Sequence, residues 1–224
     1  MLKALRVELM KESNDKFKLS VKRFFKEPVK PYGIPLGEVR KIARKFLPET
    51  NESSLIALCD ELFASGWLEE GAVALEWAMR RKIQSLPVFE KWLSKYISNW
   101  AHVDLLCCQL IGPLLEKQPE LIPKVKSWTK SKNRWLRRAS AVSFVMPGRH
   151  GKYLEHIFDV SEKLLIDEDD LVQKAYGWAL KEASKRHQKE VFNFVMKNKD
   201  RMPRTALRYA IEKMPKALKD EAMA

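Results

Sequence analysis

Ala175-Tyr176-Gly177-Trp178 sets a small residue three positions ahead of a large apolar one, and the recurrence of that pairing decides how the chain folds. On a helix the two positions share a face. The small residue lets a neighbouring helix approach closely, and the large one fills the space beside it. The same pairing occurs at Ala43/Phe46, Ala74/Trp77, Cys108/Ile111, Ala139/Val142 and Ala206/Tyr209. Successive small residues lie 31, 34, 31, 36 and 31 positions apart. A unit of that length holds two helices and cannot bury its own apolar stripe. Six such units are therefore expected to stack side by side as an α-solenoid with a continuous core.

The flanking sequence agrees. Leu2, Leu5, Leu9, Phe17, Val21, Phe24 and Phe25 follow a helical period over residues 1–27, broken at Ser13-Asn14-Asp15. Residues 27–37 contain three prolines and two glycines, which predicts an ordered loop or a break, with helix resuming at about Glu38. Short connections follow at residues 47–53, 84–87 and 118–119, and no run of alternating β-branched residues appears. The expectation is an all-α fold in a single domain over residues 1–224.

With 224 residues, 46% of them hydrophobic and 10% aromatic, the chain can fill a sizeable core. Its longest apolar runs are broken well short of the roughly 20 residues a membrane span needs. The N-terminal Met1-Leu2-Lys3-Ala4-Leu5-Arg6-Val7-Glu8 has no apolar signal core or small-residue cleavage site, so a cytoplasmic location is expected. Cys59, Cys107 and Cys108 lack C-x-x-C spacing and read as reduced, buried small residues. His102, His150, His156 and His187 form no metal-binding spacing, so neither a metal nor a cofactor is expected.

Forty-two basic residues against twenty-nine acidic ones leave a net charge of +13, which points to a polyanionic partner. The excess is concentrated between Lys124 and Arg138. That stretch holds Lys124, Lys126, Lys130, Lys132, Arg134, Arg137 and Arg138, no acid, and the flat side chains of Trp128 and Trp135. Such a mixture suits phosphates and bases.

Ser98-Asn99-Trp100-Ala101-His102-Val103-Asp104 is the candidate site. Ser98 or Asn99 would cap a helix, and residues four apart would then present an indole and a carboxylate side by side, a pairing that suits a cation. With each unit's small residue as zero and about 100° per residue, Trp100, Asp104, Arg138 and Trp178 project into one sector of roughly 60°. If second helices line the concave side, these groups meet in a groove. The same projection allows Asp104 and Arg138 simply to pair with each other.

Four segments in this order resemble a known family: Tyr32-Gly33-Ile34 followed by Glu38-Val39-Arg40; Trp100-x-x-x-Asp104; Trp135-Leu136-x-Arg138-Ala139; and Gln173-Lys174-Ala175-Tyr176-Gly177-Trp178-Ala179-Leu180. They are similar to the AlkD-like DNA alkylpurine glycosylases, over about residues 20–214. The resemblance implies about six HEAT-like repeats with a concave DNA-binding groove. It also implies hydrolytic release of cationic alkylated purines such as 3-methyladenine and 7-methylguanine from duplex DNA, without flipping the base. By position, Trp100, Asp104 and Trp178 match the family's catalytic cleft, while Arg138 and Arg40 match basic residues near the DNA. His102 inside the motif and Pro35-Leu36, where relatives often carry polar residues, are departures.

In such a reaction Asp104 would stabilise the sugar cation and could orient the attacking water, and Trp100 and Trp178 would contact the cationic lesion. Arg138, Arg40, Lys174, Lys181, Arg137, Arg134 and Lys132 would hold phosphates. The chain is expected to act as a monomer. Two other readings use the same surface: a non-catalytic scaffold and a DNA-binding protein without chemistry.

Overall fold

In the computed structural model, which describes residues 1–224, every regular element is helical, and the strand-like geometry is an isolated bridge between Lys30 and Trp67. No helix is long and apolar enough to cross a membrane. The chain forms two compact units, Met1–Leu105 and Leu106–Ala224.

The first unit contains α1 (Leu2–Lys11), α2 (Asp15–Lys22), α3 (Leu36–Lys45), α4 (Glu52–Ala64), α5 (Leu68–Arg80), α6 (Leu86–Lys95) and nearly all of α7 (Trp100–Leu106). Asparagines start two of them: Asn14 Oδ1 accepts from Phe17 N at 2.9 Å, and Asn51 Oδ1 from Ser54 N at 2.8 Å. Helix α3 begins at Leu36, two residues before the expected restart, because Pro35 occupies the N-cap position and supplies the carbonyl for the first turn. The recurring small residues act as expected here. Ala43 and Ala74 are fully buried, and Trp77 Nε1 donates to the Ala43 carbonyl at 2.8 Å, a contact that requires α3 and α5 to pack closely.

The second unit opens with a π-helical turn, Cys107–Ile111, continued by α8 (Gly112–Lys117). Then come α9 (Ile122–Ser127), α10 (Arg134–Val142), α11 (Val145–Arg149), α12 (Leu154–Lys163), α13 (Asp170–Ala183), α14 (Gln188–Asn198), α15 (Arg204–Ile211) and α16 (Lys216–Met223). Its centre is α13, which packs against α10, α11, α12 and α15. Ala139, Ala175 and Ala206 are fully buried there. At Gly177 a Cβ would stand 2.7 Å from Tyr209 Cβ and 2.8 Å from the Ala206 carbonyl oxygen, so glycine sets the α13–α15 separation.

One position of the repeat needs correction. The buried small residue of the third small/large pairing is Cys107, whose thiol faces the Ala139 carbonyl, whereas Cys108 is only half-buried. A π turn spends an extra residue on the same rise, which shifts the pattern by one. The projection that used Cys108 as its zero therefore carries no argument for a shared groove.

Candidate functional site

Helix α7 is locked at its first turn by residues that face inward. Asn99 Oδ1 accepts from His102 N at 2.9 Å, the cap expected of Ser98 or Asn99. The Asn99 amide nitrogen then lies 3.0 Å from His102 Nδ1, and His102 Nε2 lies 2.8 Å from the Leu68 carbonyl. Since the amide nitrogen can only donate, Nδ1 accepts and the ring proton sits on Nε2, which donates to Leu68. The imidazole is buried and neutral, and burial pushes its pKa down to about 4 against the opposing pull of the Leu68 carbonyl. His102 thus ties the start of α7 to the start of α5. It is a structural residue.

Trp100 and Asp104 sit on the same helix and are only partly buried. The Trp100 indole stacks on Phe25, with ring centroids 5.2 Å apart and planes 22° from parallel. Its Nε1 donates to the Phe24 carbonyl at 3.4 Å. Phe25 lies outside α7, and the chain that brings it there is pinned to α5.

That pinning uses two buried carboxylates. Glu69 accepts three backbone N–H groups, from Tyr32 at 2.7 Å, Gly33 at 2.9 Å and Ile34 at 3.1 Å. Glu70 accepts the Tyr32 hydroxyl at 2.9 Å and pairs with Arg6 at 3.1 Å. Burial and the neighbouring Glu70 charge push the Tyr32 phenol up, so it stays a donor. The Tyr32 ring stacks on Trp67 at 4.0 Å, and Lys30 Nζ sits 4.4 Å over the Trp67 ring. Gly33 has φ +84°, and a Cβ there would meet the Asn14 carbonyl at 2.4 Å, so this turn accepts only glycine. The loop with three prolines and two glycines is ordered, one of the two outcomes expected of it.

The predicted cationic residues have neighbours that linear sequence could not reveal. In the first unit Arg40 and Arg80 flank the buried carboxylate of Glu76, at 3.7 and 2.7 Å. In the second, three arginines of α10 face the segment leading into α13 and the first turn of that helix. Arg134 pairs with Asp169 at 2.5 Å and lies 4.8 Å over the Trp135 ring. Arg137 pairs with Asp167 at 2.7 Å, and Arg138, only 5% exposed, donates to the Leu171 carbonyl. Lys174 pairs with Asp170 at 3.1 Å, and Lys181 with Glu212 at 2.9 Å while covering the Tyr209 ring. Lys132 is exposed. The acid-free run Lys124–Arg138 is thus matched in space by Asp167 and Asp169, and by Asp159 beside Lys126. Trp178 is half-buried on α13, next to the closely packed Gly177.

Sequence reasoning missed Glu69, Glu70, Asn99's second role and Phe25. The two glutamates occupy the first turn of α5, where acids ordinarily complement the helix dipole in solvent, so nothing local marks them as buried. Phe25 carried a signal, an apolar pair running past the end of α2, but no indication of its partner.

Comparison with known proteins gives concordant results. A family profile described as DNA alkylation repair enzyme matches residues 5–214. A solved structure described as a predicted DNA alkylation repair enzyme from Enterococcus faecalis superposes with a TM-score of 0.80 at 19% identity, covering 92% of this chain and 98% of that one. At that identity the likeness concerns the fold. No protein of curated function matches the chain by sequence.

Proposed function

Because the chain belongs to the DNA alkylation repair enzyme family, we propose that it is a glycosylase that releases cationic alkylated purines, 3-methyladenine and 7-methylguanine among them, from duplex DNA. The observation that carries this reading is the pairing on α7: an indole held in a defined plane by Phe25 and the Phe24 carbonyl, one helical turn from the Asp104 carboxylate. The reading includes about six HEAT-like repeats in one domain, a monomer without metal or cofactor, and action in the cytoplasm on the alkylated purine within the duplex, without flipping.

Alkylation at N3 or N7 makes the base a cation. When the C1′–N bond breaks, its electron pair leaves with the base, which departs neutral, and positive charge passes to the deoxyribose. Asp104 stabilises that charge and orients the water that adds to C1′, accepting its proton. Trp100 and Trp178 offer aromatic faces to the cationic lesion, each worth about 0.5–2 kcal/mol where water is excluded. Arg40, Lys132, Arg134, Arg137, Arg138, Lys174 and Lys181 engage phosphates, several by exchanging an internal carboxylate or carbonyl for a phosphate oxygen.

The test is incubation with N-methylated duplex DNA, followed by detection of free base and abasic sites. Asp104→Asn is expected to bind the duplex as the wild type does and to release 7-methylguanine roughly a hundredfold more slowly. Unchanged release removes Asp104 from the mechanism. A wild-type protein that binds alkylated duplex and never frees a base is the non-catalytic DNA-binding protein instead.

A further inference from the structure

We propose that Phe25 is a positioning residue for Trp100, setting the plane of the indole and closing one of its two faces, so that a lesion can meet only the other. The inference rests on the glycosylase reading for its consequence and on geometry for its substance. The inward-facing residues at the start of α7, Asn99 and His102, fix the backbone of that turn. The indole itself is oriented from outside its helix. The stack on Phe25 restrains the tilt of the ring, and the Nε1–H bond to the Phe24 carbonyl restrains its rotation, so the face and one edge are held at once.

The segment that does this gains little by being there for its own sake. Helix α2 contributes no buried residue, and residues 23–25 continue it only as single turns, Phe24 N donating to Val21 O at 3.0 Å and Phe25 N to Lys22 O at 3.3 Å. The Phe24 ring points away and is 72% exposed, although its carbonyl is the one that receives the indole proton. A segment docking for hydrophobic burial alone would hide both rings. Here one ring is turned outward, and the other lies within 22° of parallel to the candidate catalytic tryptophan. The loop that follows is then fixed on α5 by Glu69 and Glu70, which prevents the pair from drifting.

The test uses the full chain labelled with 5-fluorotryptophan, in which each of the seven tryptophans gives one fluorine resonance and Trp100→Phe identifies that of Trp100. Phe25→Ala is expected to shift and broaden the Trp100 resonance alone, and Phe25→Tyr to restore it. Under single-turnover conditions Phe25→Ala is expected to release 7-methylguanine about three- to tenfold more slowly, the equivalent of one aromatic pair, with the enzyme concentration for half-saturation unchanged. Phe25→Tyr recovers the rate. An unmoved Trp100 resonance in Phe25→Ala overturns the inference, and so does a moved resonance with an unchanged rate. Shifts at every tryptophan, unrescued by Tyr, reduce Phe25 to general packing and overturn it too. A wild type that frees no base overturns the glycosylase reading, and the fluorine spectrum still decides separately whether Phe25 sets the ring.

Discussion

Gly71 and His102 are complementary in space: a Cβ at Gly71 would lie 2.3 Å from Cε1 of the His102 ring. The imidazole cannot retreat, since both its nitrogens are bonded. Gly71→Ala is therefore expected to cost about 1–3 kcal/mol, read as a lowered urea midpoint. In a double-mutant cycle with His102→Ala the two costs fall short of additive, because the alanine methyl then has room. Strict additivity would mean that the two side chains do not compete for this space.

The same histidine predicts a pH dependence. Its folded pKa of about 4 lies below the ordinary value of 6.5, so between these values the unfolded chain binds a proton that the folded one refuses. Stability is fully present above pH 6.5 and falls as pH drops toward 4, by about 2 kcal/mol between pH 7 and 4.5. His156 is shifted down as well, by burial and then by Lys126, and adds a loss of the same sign. The diagnostic quantity is thus the difference between wild type and His102→Gln, which keeps a donor for Leu68 without titrating. Equal slopes for the two proteins would show that His102 is not neutral in the fold.

Glu69→Gln tests the loop anchor. The amide retains one acceptor oxygen and turns an NH2 toward backbone N–H groups that the carboxylate now satisfies. The expected loss is about 2 kcal/mol or more. Hydrogen exchange at Tyr32, Gly33 and Ile34 should accelerate before exchange elsewhere. Uniform acceleration would make Glu69 a global stabiliser instead of a local clamp.

How far the molecule could be read in its sequence differs from feature to feature. The small-residue pattern located the helix contacts well, as Ala43 with Trp77 and Ala206 with Gly177 show, because close approach demands small side chains whatever the partner. It slipped at Cys107/Cys108, where a π turn adds a residue that no 3.6-residue period anticipates. A cap at Ser98 or Asn99 follows from local chemistry and was legible, whereas the choice of Asn99 was not. The burial of Glu69 and Glu70 was not, since it depends on a loop 35–38 residues earlier in the chain. The cationic run was legible as charge, but its pairing with Asp167 and Asp169, 30 or more residues later, was not.

That pairing gives a prediction for binding. If Arg137 engages phosphate, Asp167 competes with the DNA for it. Asp167→Asn should then tighten binding to unmodified duplex roughly two- to fivefold at low salt, the range of a partly exposed ion pair, and steepen the salt dependence. A fluorescence anisotropy titration in which Asp167→Asn weakens binding at every salt concentration would place Arg137 away from the DNA.

Gly177→Ala probes the second unit. Its new methyl would meet the Ala206 carbonyl oxygen and Tyr209 Cβ, atoms of a packed helix that cannot swing aside. A loss of about 2–4 kcal/mol is expected, visible in thermal unfolding. Near-neutral behaviour would mean that α13 and α15 separate easily.

Under the glycosylase reading, the stacking of Phe25 on Trp100 also governs how the base departs once the bond breaks. With one face of its indole occupied, Trp100 holds the base by its one open face, through attraction between a π cloud and a positive charge. Cleavage removes that charge from the purine, so grip and leaving group vanish together. Under the glycosylase reading, departure of the free base is coupled to the chemistry itself and needs no opening of a lid. The slow step in turnover is then separation from the abasic strand, and adding free 7-methylguanine should inhibit the enzyme only weakly.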